Sequence, residues 1–252
     1  MRFAIISPAS GLQEFATLSK THLLLAHVKN PVYWKFYQQL AQDPSEMLIL
    51  DNSAYEGEQD MDTAIKQIEF LGRVDALVMP DIFRGEARAN FDQAVEFIRK
   101  WRHQLPCELM YCPQFNLTYD DHLEMIKYTD AMWDYFDIRW FGIPRLIAEQ
   151  GYSRAAFVSR IKSGGHDGPP YVHALGMCAG NLKEMNELRE AGCDSIDSSA
   201  PVWRGWNGYD IERYKEWNKN GTACDFNARP EGLTQSVRKI ILSNLRKVGV
   251  AC

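Results

Sequence analysis

Eight short apolar runs recur along this chain: Phe3 to Ser7, His22 to Val28, Met47 to Asp51, Ala76 to Met79, Glu108 to Cys112, Ile138 to Gly142, Tyr171 to Gly176 and Ser195 to Asp197. They start 19 to 33 residues apart, which leaves room each time for one strand, one helix and two short loops. Several are apolar at consecutive positions, as strands buried on both faces of a parallel sheet are, rather than alternating like half-exposed antiparallel ones. Between them the apolar residues step by three or four. Phe91, Ala94, Val95, Ile98, Trp101 and Leu105 make one such stripe, and Asp62 to Leu71, Tyr119 to Tyr128, Ser153 to Ile161 and Asn181 to Ala191 make others. Gly192 stands where a helix ending would place its glycine. Eight alternating units in 252 residues predict a closed (β/α)8 barrel over an open doubly wound sheet.

The expected organisation is a single α/β domain over 1–252, with a TIM barrel core over about 1–205 and a C-terminal helical segment over about 206–252. The stripe Leu233, Val237, Ile240, Ile241, Leu245, Val248 supplies the helix of that tail. With 46% hydrophobic residues the chain has ample material for a core. No run approaches the ~20 apolar residues of a membrane span, and the N-terminus lacks the long apolar region of a secretory signal. The expected location is therefore the cytoplasm, with no membrane partner, and the six scattered cysteines are expected as reduced thiols. A net charge of −5 gives no global pull on a polyanion, so any nucleic acid has to be held by a local patch.

In a parallel barrel the chemistry sits where the loops after the strands converge. The third run ends in Asp51-Asn52-Ser53-Ala54-Tyr55, the fourth in Pro80-Asp81, the fifth in Cys112-Pro113-Gln114, the sixth in Phe141-Gly142-Ile143-Pro144, the seventh in Leu175-Gly176-Met177 and the eighth in Asp197-Ser198-Ser199. An aspartate after a strand often caps the next helix. Three on one rim instead repel one another and drive their pKa values apart, which lets one site hold both a nucleophile and a proton carrier.

These strand ends resemble the tRNA-guanine transglycosylase superfamily. Leu50-Asp51-Asn52-Ser53-Ala54-Tyr55 is similar to its aspartate, small-residue and aromatic segment. Asp194-Ser195-Ile196-Asp197-Ser198-Ser199-Ala200-Pro201-Val202-Trp203-Arg204 is similar to its nucleophile segment, with proline four residues after the aspartate and arginine soon after. Met79-Pro80-Asp81, Pro113-Gln114-Phe115, Trp140-Phe141-Gly142-Ile143-Pro144 and His173-Ala174-Leu175-Gly176-Met177 follow in the expected order. The resemblance implies Asp197 as nucleophile and Asp51 as the carboxylate that exchanges protons with, or orients, the leaving and incoming bases. It implies further that Asp81 and Gln114 bind the edge of a guanine-like base, that the Gly142 backbone adds a contact, that Tyr55 stacks on the base, and that Leu175, Gly176 and Met177 complete the pocket. Cleavage of an N-glycosidic bond builds positive charge on the sugar, which a nearby carboxylate attacks. A second base then enters from the vacated side, with retained configuration.

The chain departs from the tRNA-acting members in three ways. Those enzymes hold a zinc on cysteines and a histidine downstream of the nucleophile, whereas here only Cys224 and Cys252 follow Asp197 and no histidine lies beyond His173, so no zinc is expected. The paired glycines after the first aspartate are missing, and no further domain is apparent. The compact barrel is closer in kind to the phage and bacterial 7-deazaguanine DNA transglycosylases, and the expected partners are DNA and a 7-deazaguanine such as preQ0. Action on tRNA, a non-catalytic nucleobase- or nucleic-acid-binding homologue, and an unrelated barrel using Gly176-Met177-Cys178-Ala179-Gly180 for a phosphate are the alternatives.

Four further readings await the fold. Asp194 rivals Asp197 as nucleophile, although strand alternation points the two to opposite faces. His173 reads as a hydrogen-bonded barrel residue near the mouth. Trp203, Arg204 and Trp206 read either as a stacking patch for a nucleic-acid strand or as a loop packing tryptophans on the rim. Arg238, Lys239, Arg246 and Lys247 read as phosphate contacts or as the solvated face of the last helix.

Overall fold

The computed structural model describes residues 1–116, 118–164, 170–177, 181–213 and 222–251. All eight apolar runs form strands: β1 (Arg2–Ile5), β2 (Thr21–Leu25), β3 (Met47–Asp51), β4 (Ala76–Val78), β5 (Glu108–Tyr111), β6 (Trp140–Pro144), β7 (Tyr171–Leu175) and β8 (Ser195–Ser198). Every ladder is parallel, in the order β1-β8-β7-β6-β5-β4-β3-β2. The two ends of this sheet lie side by side, so the ring is nearly closed and the fold is a (β/α)8 TIM barrel. Ser19 Oγ, just ahead of β2, donates to the Phe3 carbonyl at 2.5 Å and ties the two ends together.

Six helices follow β2 to β7: α1 (Pro31–Leu40), α2 (Met61–Leu71), α3 (Ala87–Trp101), α4 (Tyr119–Phe136), α5 (Arg154–Ser163) and α6 (Leu182–Glu190). Most begin at a polar residue whose side chain accepts a backbone N–H of the first turn, as Asn30, Asp60, Thr118, Ser153 and Asn181 do. Gly192, with φ +86°, stands just past the end of α6, where the left-handed backbone is cheap for glycine. None of the described helices is long and apolar enough to cross a membrane.

After β8 the chain enters α7 (Ala200–Trp206) and later α8 (Gln235–Lys247). These two pack so closely that a Cβ on Gly205 would lie 2.6 to 2.9 Å from atoms of Ile241. Buried Asn244 bolts the tail down, donating to the carbonyls of Pro201 and Tyr209 and accepting from Ile211 N–H. The C-terminal helix thus flanks the barrel beside the last strand.

Candidate active site

Alternation along each strand sends every second side chain into the barrel, and the last inward residues meet at the carboxyl-terminal mouth. Leu25, Asp51, Val78, Pro144 and Leu175, which close five strands, and Asp197, last but one in β8, line one cavity of about 480 Å³, a size suited to a small planar ligand. Four carboxylates share it: Asp51, Glu56, Asp81 and Asp197. Asp51, Asp81 and Asp197 therefore meet, as the sequence reading requires.

Asp197 is 4% exposed and held from one side. Its Oδ1 accepts two hydrogen bonds, from His173 Nε2 at 3.0 Å and from Gly176 N–H at 2.8 Å. Among the described residues no donor reaches Oδ2. The histidine is fixed in turn: Tyr171 OH donates to Ser195 Oγ at 2.8 Å, and Ser195 Oγ lies 2.6 Å from His173 Nδ1. A carboxylate only accepts, so His173 Nε2 donates to Asp197. Gly176 reaches Asp197 from a left-handed conformation, φ +69°, that a side chain would strain. Its carbonyl and those of Ile143 and Leu175 accept from Arg154, a guanidinium 1% exposed that also pairs with Glu184. Two strand ends are thereby clamped under the cavity. Asp194 sits at the other end of β8, bound by Lys162 and by Val172 N–H at 2.7 Å, and takes no part in the cavity.

The other carboxylates differ in how well they are supplied with donors. Among the described residues Asp51 receives one, Ser53 N–H at 2.9 Å. Loss of water around it, then the negative charges of Glu56, Asp81 and Asp197, push its carboxyl well above the ordinary range. Burial also raises Asp81, but Asn52 Nδ2, at 2.6 Å, and Gln114 Nε2 both donate to it and hold the shift in check. Glu56 is raised as well, first by loss of water and then by Asp197. All three shifts run upward, and Asp51, raised furthest, is the carboxyl among them most favoured to keep a proton.

Gln114 is 3% exposed; its amide donates to Asp81 and to Cys112 Sγ at 3.6 Å, and its buried Oε1, without a partner among the described residues, remains as an acceptor. Asp81 and Gln114 thus form one acceptor-rich edge in the cavity. Ser53 adopts a left-handed φ of +59°, and its Oγ lies 2.9 Å from His27 Nδ1. Leu175, Gly176 and Met177 line the cavity as expected; Cys178 to Gly180, the rest of the possible phosphate loop, lies outside the described residues. Tyr55 stands at the rim, 56% exposed.

Two expectations are corrected. Gly142 does not reach the cavity: it lies one layer deeper, where a Cβ would come within 2.9 Å of Leu175 and 3.1 Å of Met110, so it provides packing space rather than a base contact. The Trp203, Arg204 and Trp206 patch is not a nucleic-acid surface. These residues form α7, in which Trp203 and Arg204 are buried, Trp203 Nε1 donating to Thr222 O at 2.9 Å and Arg204 to Ile211 O at 3.3 Å, and Trp206 packs on Gly232. Pro201 in the first turn and close packing on α8 make this segment a helix. On α8 itself, Arg238 pairs with Glu14, and Lys247 with Asp210 and Glu212.

The sequence reading missed Asn52, Glu56, His27, Phe83 and Arg145 as cavity residues. Asn52 lies within the motif that supplied Asp51 and Glu56 directly follows it, so a polar residue beside a strand end was the available signal. Among the described residues no group of three or more His, Cys, Asp or Glu side chains is placed to hold a metal ion. No protein-family model matches the chain, and no curated protein is significantly similar to it.

Proposed function

We propose that the protein is a base-exchange glycosyltransferase that replaces guanine in DNA with a 7-deazaguanine through a covalent intermediate on Asp197. One observation carries this reading. Asp197 is immobilised through one oxygen by two donors, in the same cavity as Asp51, whose surroundings favour the protonated form.

The other oxygen, Oδ2, attacks the anomeric carbon as the glycosidic bond breaks and its electron pair passes to the base. Asp51 gives its proton to the departing guanine. The incoming 7-deazaguanine returns a proton from its ring nitrogen to Asp51 and attacks the same carbon, and the ester bond to Asp197 breaks. Two displacements retain the configuration. Asp81 and Gln114 offer acceptors to the N–H donors on the edge of a guanine-type ring, and Tyr55 supplies a face at the mouth. The choice of DNA follows the resemblance to the compact DNA-modifying enzymes.

Incubation of the purified protein with radiolabelled preQ0 and either duplex DNA or tRNA tests the reading. Label is expected in DNA. Label in tRNA alone would move the activity to RNA, and label in neither polymer would overturn base exchange.

A further inference from the structure

The rim of the cavity carries an ordered row of cations and rings. Arg84 Cζ lies 5.1 Å from the Phe83 ring centroid, Phe83 meets Tyr55 edge to face at 5.2 Å, and Arg145 Cζ lies 4.8 Å from the Tyr55 centroid. Arg145 also donates to Tyr55 OH. Glu149 joins the two ends, binding Arg145 Nε at 2.8 Å and meeting Arg84 only at 3.7 Å. Arg145 is thus engaged in holding Tyr55 and Glu149, while the Arg84 side chain is 54% exposed. Arg84 sits in the left-handed region, φ +59°, within a turn closed by Gly85 N–H on Ile82 O. Such a backbone is costly for a residue with a side chain and calls for a compensating role.

Charge divides this mouth in two. The cavity is lined by four carboxyl groups, a poor setting for a phosphodiester, so a strand presenting one base keeps its backbone outside. The rim offers what that backbone and the next base need: an exposed guanidinium, and two ring systems that stack any base irrespective of sequence.

We infer that Arg84, Phe83 and Tyr55, braced by Arg145, form the platform that holds the nucleotide next to the target in a single-stranded or locally opened polynucleotide. This rests on the base-exchange reading for its target, and it relocates the nucleic-acid surface from α7 to the loops after β3 and β4.

Fluorescence anisotropy with a guanine-containing, fluorescein-labelled single-stranded DNA, and with RNA of the same sequence, tests the platform. Phe83→Ala should weaken binding about tenfold and, because Arg84 rests on that ring, should lower the salt slope too, though by less than the loss of Arg84 itself. Arg84→Gln should lower the slope of log affinity against log salt by about 0.7, the share of one phosphate on a single strand. Wild-type affinity and slope in both variants would overturn the platform. If both changes appear while no labelled base enters any polymer, the platform stands and the exchange reading falls. The same changes seen with RNA alone would keep the platform and overturn the choice of DNA.

Discussion

His173 Nε2 and Asp197 Oδ1 are joined at 3.0 Å inside the barrel, and the histidine itself does not line the cavity. Fully buried and held by Ser195 from behind, His173 positions the proposed nucleophile rather than acting on a ligand. His173→Ala should therefore lower kcat about 10- to 100-fold with little change in KM, by the logic of supporting groups whose loss loosens a reacting residue. His173→Gln, which can restore a donor at the same reach, should recover part of the loss. Single-turnover exchange of labelled base measures both, and a change confined to KM would refute the positioning role.

Asp197→Asn removes the attacking oxygen while keeping the side chain's shape. Exchange should fall by at least about 10³-fold, and a glycosyl-protein adduct, seen with the wild type by denaturing gel after quenching, should disappear. Because Oδ1 retains its two donors' positions, the folded state should survive, which thermal unfolding would check.

Asp51 gives the activity a pH limb of known sign. Its carboxyl must be protonated to serve the leaving base and is raised well above the ordinary range, so first-half exchange should decline as pH climbs through that raised value. Asp51→Asn should slow exchange and abolish this limb. The same carboxyl, together with Asp81 and Glu56, affects stability. A folded-state pKa above the unfolded one confers stability that is complete below about pH 4, the unfolded value, and is lost as pH rises through the folded value. Urea unfolding across that range should show the wild type weakening toward alkaline pH and Asp51→Asn weakening less, by about 1.4 kcal/mol for each pKa unit removed.

Arg154 carries the largest structural expectation. Truncation to Met leaves Glu184 and three strand-end carbonyls short of their buried donor, at a cost of about 3 to 5 kcal/mol in unfolding free energy. Arg154→Lys should not restore it, since one ammonium does not reproduce the planar fork. Denaturant titration separates the two outcomes.

The barrel was legible because its signal is local: apolar runs covered on both faces and helical stripes between them. The site was half legible for the same reason. A carboxylate closing an apolar strand, as in Asp51 and Asp197, stands out against its neighbours, and a motif order added Asp81 and Gln114. Trp203, Arg204 and Trp206 were ambiguous because composition does not distinguish a solvated ring from a packed one; the contact of Gly205 with Ile241 does. Gly142 was misplaced because a strand-end motif does not say which layer of the barrel its residue occupies. Arg154 and the Arg84–Phe83 pair gave no signal at all, since their partners come from other loops and strands.

The chain alone determined that Asp51 and Asp197 end inward-facing strands, because a two-residue repeat assigns each side chain a face. The closed ring decided what those carboxylates are. It set β7 beside β8, so that His173 and Gly176 supply donors to Asp197, and it brought Asp51 under the charges of Glu56, Asp81 and Asp197 with a single donor of its own. Protonation depends on distance and on lost water, and both exist only after strands far apart in sequence have met.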